Sequence, residues 1–236
     1  FVVVEATRDH SGNQKKLNFD INSFKKFKEK IIYHVVEDIP REVKNYKKGW
    51  SPNFYRENFH RDSISKAIEN CDPEDLILIS DADEIPNFDT INSSKIKKFA
   101  LLRQKNFYYK INLRSENEWL GTGICYKKYL KSPQWLRNKR FLRRGFFRRM
   151  FFKTQIIKDG GWHFSFLKTP KDIINKMQSY GHGELNMSLS TENIEKSINS
   201  KEFFINPNVK LNNVEIDDSY PDYIKNNTKN LSEWIF

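Results

Sequence analysis

Residues 76–86 read LILISDADEIP. Four apolar residues run straight into three acids, Asp81, Asp83 and Glu84, and the chain then turns at Ile85–Pro86. An unbroken apolar run of this length is the mark of a strand buried on both faces. A buried strand that ends in so much negative charge calls for something positive beside it, because unpaired buried charge is costly. A metal ion or a lysine would serve; the plainest alternative is an acidic turn bathed in solvent.

Two more such runs precede it. FVVVEA (residues 1–6) and IIYHVVEDI (residues 31–39, closed by Pro40) read as buried strands. Between them SFKKFKEK (23–30) reads as a short helix with Ser23 as its N-cap. NFYRENFHRDSISKAIENC (53–71) has helical spacing, with Phe59, Ile64, Ala67 and Ile68 inward. Strand, helix, strand, helix, strand predicts an α/β fold, a mostly parallel central sheet flanked by helices, in one domain spanning 1–236. The first strand is already in progress at Phe1, so a missing N-terminal element is expected. Ligands of such sheets gather at the carboxyl ends of strands, which is where SDADEIP falls.

Further along, SSKIKKFALLRQ (93–104) reads as helical and NFYYKINLR (106–114) as a strand. EWLGTGICYKKYL (118–130) reads as strand plus turn, and GGWHFSFL (160–167) as a glycine turn entering an aromatic strand. TPKDIINKMQSYGH (169–182) is a strong helix signal, with Thr169 as cap and Pro170 in the first turn. TENIEKSINS (191–200) is another, and the tail from Asn206 reads as a polar surface wrap.

Composition sets outer bounds. At 38% hydrophobic and 14% aromatic, the 236 residues can bury a core and do not have the composition of a disordered chain. No apolar run reaches the roughly 18 residues that a membrane-spanning helix needs, and no signal peptide is visible. Two cysteines, Cys71 and Cys125, exclude a disulfide framework and a cysteine zinc site, and are expected as free thiols. A formal net charge of +11 points to an anionic partner: a phosphorylated substrate, an acidic glycan, an anionic lipid or a nucleic acid. Residues 137–153, RNKRFLRRGFFRRMFFK, alternate basic pairs with phenylalanine. That run reads as a helix or hairpin with Phe inside and Arg outside, as an acidic-acceptor site, or as a peripheral contact with an anionic membrane or glycolipid.

Asp81 and Asp83 are two apart and face one side of an extended chain. Both can converge on a hard cation, Mg²⁺ or Mn²⁺, which takes oxygen ligands and shares its remaining positions with water and phosphate. Asp-x-Asp alone is a weak motif; its place directly after LILIS strengthens it.

LILISDADEIP also resembles the Asp-x-Asp segment of glycosyltransferase family seventeen. FVVVEATRDHSGNQKKLNF, KIIYHVVEDIP, FHRDSI, GGWHFSF, NKMQSYGHGE and SYPDYIKNNTKNLSEWI resemble further segments of that family, in order along almost the whole chain. The resemblance implies a GT-A-like fold with one strand more before FVVVE. It also implies a UDP-sugar donor, inversion at the anomeric carbon, transfer of a sugar such as N-acetylglucosamine to a glycan acceptor, and Mn²⁺ or Mg²⁺ as cofactor.

On that footing Asp83 is the first metal ligand, and Asp81 binds the metal through water or the ribose. Glu84 stands behind them, or is a surface acid. His163 in GGWHFS is the further metal or diphosphate ligand, against the plain reading of a core histidine beside Trp162; His182 is weaker. The base for the acceptor hydroxyl is sought in Glu184, then Asp159, then Glu118, with Glu5 at the first strand's end also in reserve. Arg61 and Lys176 are candidates for the diphosphate, because charge-assisted bonds to phosphate are strong. Trp50, Trp119, Trp135 and Trp162 are sugar platforms or core residues. Two other functions compete: a non-catalytic glycan-binding relative, and a nucleic-acid-binding module, which the lack of any nucleic-acid signature disfavours. A cytoplasmic or membrane-peripheral location fits the cysteine usage, and a Golgi lumen fits if an anchor was removed.

Overall fold

The computed structural model describes residues 1–44, 51–143, 154–179 and 189–236. Strands β1 (Val2–Ala6) and β2 (Ile32–Val36) pair in parallel, Val2 opposite Ile32 through Ala6 opposite Val36. The link between them ends in a 3-10 helix, Ile21–Lys30, whose N-cap is Asp20 accepting from the Asn22 amide, three residues before the expected Ser23. Helices α1 (Pro52–Asp62) and α2 (Ile64–Ala67) follow; Ser51 caps α1 and Pro52 opens it, as the low cost of proline in a first turn allows. Ile68 is buried, and Phe59 and Ile64 pack partly against the core.

The expected mostly parallel sheet flanked by helices is not what the chain forms. β3 (Leu76–Ile79) does not join β1 and β2. It runs antiparallel to β7 (Trp119–Tyr126), with Leu78 opposite Ile124. The hub of this second, nine-stranded sheet is β5, Phe99–Tyr108; its first six residues fall in the stretch that reads as helical and its last three in the run that reads as a strand. Ala100, Leu101 and Leu102 are fully buried there. Burial on both faces overrides the helix preference of Ala, Leu, Lys and Gln, since strand propensity is largely set by packing.

β5 pairs antiparallel with β7 along one half and with β6 (Leu113–Ser115) near its end. On its other edge it runs parallel to β8 (Gln155–Ile157) and then to β9 (Gly161–Ser165). β4 (Glu84–Pro86) adds antiparallel to β9, and β11 (Asn206–Asn213) continues the sheet from β6 to β10 (Glu202–Phe203). Among the described residues the parallel pairings of this sheet are β5–β8 and β5–β9; the rest are antiparallel. The tail therefore supplies a strand, with Leu211 buried, before Tyr220 and then Ile224, on the short helix α6 (Asp222–Asn226), enter the core beside Trp162 and Phe164.

Helix α4 (Pro170–Ser179) is capped as expected: the Asp172 amide donates to the Thr169 hydroxyl at 3.2 Å. Ile173 and Met177 of α4 and Ile194 of α5 (Thr191–Asn199) close one face of the sheet over Tyr109, Leu113 and Leu211. Each aliphatic side chain buried this way contributes about 1.5–3 kcal/mol. Under β3 and β7, Ile68, Ile77, Ile79 and Cys125 pack on Leu136 of the short helix α3 (Pro133–Arg137). Both cysteines are free; Cys125 is buried, which pushes its thiol up to about 11, and Cys71 is half-buried.

Candidate functional site

The two most distinctive segments of the sequence meet as strands. β4 lies on β9 with Glu84 opposite His163, Ile85 opposite Trp162 and Pro86 opposite Gly161. Gly161 makes this approach possible. Its φ is +132°, and a Cβ built on it would stand 2.0 Å from the Ile85 carbonyl oxygen. One residue earlier, the Phe164 amide donates to the Asp83 carbonyl at 2.9 Å. Asp83 and His163 are therefore held to one place by backbone bonds.

What waits for the acids at the end of β3 is arginine. Arg137, at the end of α3, is fully buried. Its Nη1 donates to Glu84 Oε2 at 2.9 Å, and its Nη2 donates to Glu84 Oε1 and to Asp81 Oδ2. Arg61 on α1 donates to Asp81 Oδ1 at 3.1 Å and to Glu57 at 3.0 Å. Burial pushes the Asp81 carboxyl up, but the guanidinium groups of Arg137 and Arg61 outweigh it and hold the carboxyl below its ordinary range. Glu84 also accepts from the Trp119 indole at 2.7 Å and from the Thr122 hydroxyl at 3.3 Å.

Asp83 is different. Its side chain is about one-third exposed, with His163 Nε2 at 3.6 Å from Oδ1 and Lys176 Nζ at 3.5 Å from Oδ2. His163 Nδ1–H donates to Asn106 Oδ1 at 2.8 Å, and the Asn106 amide donates in turn to the Tyr108 hydroxyl. That chain fixes the tautomer and leaves the Nε2 lone pair facing the Asp83 carboxylate. Burial lowers the His163 pKa against the pull of Asp83, which keeps the ring neutral near pH 7. Trp119 stacks on the imidazole, centroids 4.5 Å apart and planes 13° from parallel, and the Arg140 guanidinium carbon lies 5.3 Å from the same indole. Burial, and then Arg137, lower Arg140 to about 10. A cleft of about 280 Å³ opens at Asp83, lined by Ile85, Phe164, Phe166 and Leu167 and by Lys168 and Lys176.

Two electron-rich groups that face each other at 3.6 Å invite a cation between them. At that separation a single divalent ion, which takes oxygen and imidazole ligands, would be within reach of both. Asp83 and His163 thus fit a divalent ion. Asp81 does not, since both its oxygens already accept from guanidinium groups. Among the described residues no group of three or more His, Cys, Asp or Glu side chains is arranged to hold a metal, so such an ion would take its other ligands from water and phosphate.

The remaining candidates fall elsewhere. Glu5 is buried under the loop that follows β1, where it accepts from Lys15, the Asn18 and Phe19 amides and the Tyr33 hydroxyl. Burial pushes it up, yet Lys15, the two amides and Tyr33 together bring it to about 2. Glu118 pairs with Arg103 at 3.4 Å. Asp159 sits exposed in the turn between β8 and β9 at φ +50°, and its carbonyl accepts from Asn87. Trp162 donates to the Ser219 carbonyl in the core, and Trp135 lies under Lys139. Glu184, His182, Trp50 and residues 144–153 of the basic run lie outside the described residues. Arg137 opens that run and points inward, contrary to the reading with Arg outside. The one local signal for it was the unpaired acidity of DADE.

Residues 1–203 match the family model described as glycosyltransferase family 17. The beta-1,4-mannosyl-glycoprotein 4-beta-N-acetylglucosaminyltransferase of Homo sapiens is 25% identical over 209 residues, covering 78% of this chain and 38% of the relative. The proteins of the same name from Rattus norvegicus and Mus musculus are 25% and 24% identical with the same coverage. The chain thus spans 38% of the length of these relatives. No solved structure matches it significantly. The chain belongs to glycosyltransferase family 17.

Proposed function

We propose that this chain carries the donor site of an inverting, metal-dependent glycosyltransferase. It moves a sugar, N-acetylglucosamine in the first instance, from a UDP-sugar to a glycan hydroxyl. The observation that carries the proposal is the Asp83–His163 pair, set by the β4–β9 pairing, with Asp83 lining a cleft that also holds two lysines. The names of the relatives support the sugar and the transfer.

In this reading Asp83 and neutral His163 hold Mn²⁺ or Mg²⁺. When bound, the ion supplies Lewis-acid neutralisation of the departing diphosphate, worth several kcal/mol. Lys176 and Lys168 add charge-assisted hydrogen bonds to phosphate oxygens. Asn106 keeps the proton on His163 Nδ1 and Trp119 fixes the ring, so the Nε2 lone pair stays directed at Asp83. Ile85, Phe164, Phe166 and Leu167 exclude water on one side. Glu184 is the proposed base; the helix that brings Lys176 to Asp83 leads into its segment.

A thermal-shift panel of nucleoside diphosphates with and without Mn²⁺ tests this. UDP with Mn²⁺ is expected to stabilise the protein, by about 2.7 kcal/mol at 100 times Kd, while UDP alone and other diphosphates do little. Equal response to every nucleotide, or none to UDP with Mn²⁺, sinks the donor assignment. Sugar binding insensitive to chelator, without turnover, marks the non-catalytic reading instead.

A further inference from the structure

We infer that Arg137 is a positioning residue that withdraws Asp81 and Glu84 from ligand duty, leaving Asp83 as the one carboxylate of DADE presented to a ligand. The inference rests on the donor-site reading above. Asp81 and Glu84 are the two ends of a turn, closed by the Glu84 amide donating to the Asp81 carbonyl at 3.0 Å. The Asp81 amide returns a longer bond to Glu84 Oε2 at 3.3 Å. The Arg137 fork grips the side chains at both ends. Ala82 and Asp83 lie between the gripped ends, and both line the cleft.

All four carboxylate oxygens of Asp81 and Glu84 are engaged, by Arg137, Arg61, Trp119 and Thr122. A metal ion approaching Asp81 would have to displace a buried guanidinium and face the charge of a second. Among the described residues the Asp83 carboxylate meets the His163 imidazole and the Lys176 ammonium, both beyond 3.4 Å.

Stabilisation alone is a poor account of such a cluster. Buried ion pairs are often matched or bettered by apolar side chains of similar volume. What a planar guanidinium adds is a fixed orientation for two carboxylates at once, which a lysine cannot reproduce. Its reach extends further: Glu84 holds the Trp119 indole, and Trp119 stacks on His163. One buried side chain therefore sets Asp83 through the turn and His163 through the indole.

Two measurements on the full chain test this. The first needs no activity: urea midpoints in double-mutant cycles of R137M with E84Q and with D81N. Both cycles are expected to show coupling, and additive shifts overturn the inference whatever the reaction proves to be. The second is Mn²⁺ binding with UDP, followed by electron paramagnetic resonance. D81N is expected to stay within about threefold of wild type and D83N to lose about tenfold or more. Equal losses in the two variants overturn the inference while leaving the donor site standing. No Mn²⁺ binding by wild type refutes the donor site, and the urea cycles still decide the role of Arg137. Where transfer is measurable, R137K is expected to lower kcat about 30-fold or more, with donor KM within about threefold, at a temperature where circular dichroism shows the variant folded. Full kcat in R137K, or kcat returning with stability in R137M/E84Q, makes the residue merely structural.

Discussion

Glu5 lies near the end of the apolar strand β1 and Asp83 just beyond the apolar strand β3, and both belong to segments shared with one family. Their surroundings differ in kind. Glu5 accepts four hydrogen bonds, all from residues 15–33, and closes the loop after β1 over itself. Asp83 has a fixed backbone, a carboxylate about one-third exposed, and an ammonium and an imidazole neighbour at 3.5 and 3.6 Å, with no short hydrogen bond from either. A carboxylate that is fully satisfied by its own neighbourhood is part of the scaffold. One that is rigidly placed but left under-satisfied is free to act on a ligand, and the same contrast separates Asp81 and Glu84 from Asp83 within a single turn.

Asp83→Asn tests the contrast hardest. It is expected to reduce transfer about 10³-fold or more, with the melting temperature within a degree or two of wild type, because it removes charge from a site that carries little of the fold. A variant with full transfer, or one that fails to fold, would break the distinction between scaffold and site. Gly161→Ala attacks the pairing that brings Asp83 to His163. Strain at positive φ and overlap with the Ile85 carbonyl are expected to cost about 2–5 kcal/mol, read as a lowered urea midpoint, with transfer lost in the fraction that still folds. A neutral outcome would mean that β4 can leave β9 without consequence.

Glu5→Gln is expected to cost about 1–3 kcal/mol of stability and to leave donor affinity unchanged, since charged hydrogen bonds are lost but no ligand contact is. Weakened UDP binding in that variant would move Glu5 from scaffold to site.

The smallest effect is on pH. Glu5 ionises at about 2 in the fold against an ordinary 4.5, so the unfolded chain binds the proton first between those values. Its contribution is present above about 4.5 and lost as pH falls toward 2. His60 is half-buried; desolvation and then His10 lower it to about 4 from 6.5, so acidification from 6.5 toward 4 also favours the unfolded chain. Stability is therefore expected to fall in two overlapping steps below pH 6.5. In Glu5→Gln the lower step should shrink and the upper one remain. A single step unaffected by the substitution would show that Glu5 is not the group responsible.

Much of the local structure can be read from the chain. β1, β2, β3, β7, β9 and the helices α4 and α5 lie where apolar runs, caps and helical spacing place them. Their arrangement cannot. An apolar run such as LILI looks the same in a parallel or an antiparallel sheet, and its partner β7 lies more than forty residues away (Ile79 pairs with Gly123). The stretch from Phe99 to Gln104 has helix-favouring composition and becomes the hub strand because both its faces are covered. The strand Asn206–Asn213 buries one apolar side chain, Leu211, too faint a pattern to announce a strand.

By itself the sequence determined that an apolar strand ends in three acids, that either positive charge or solvent must offset them, and that a histidine segment of the same family follows later. Only the tertiary structure decided which acid keeps which partner. Arg137 reaches Glu84 across 53 residues and Asp81 across 56, and His163 reaches the turn through strand pairing rather than proximity in the chain. Charge states the need for a counter-ion, but a guanidinium and a metal ion answer it equally well on paper. The choice between them is made by burial and by the geometry of the fork, which exist only once distant segments have packed.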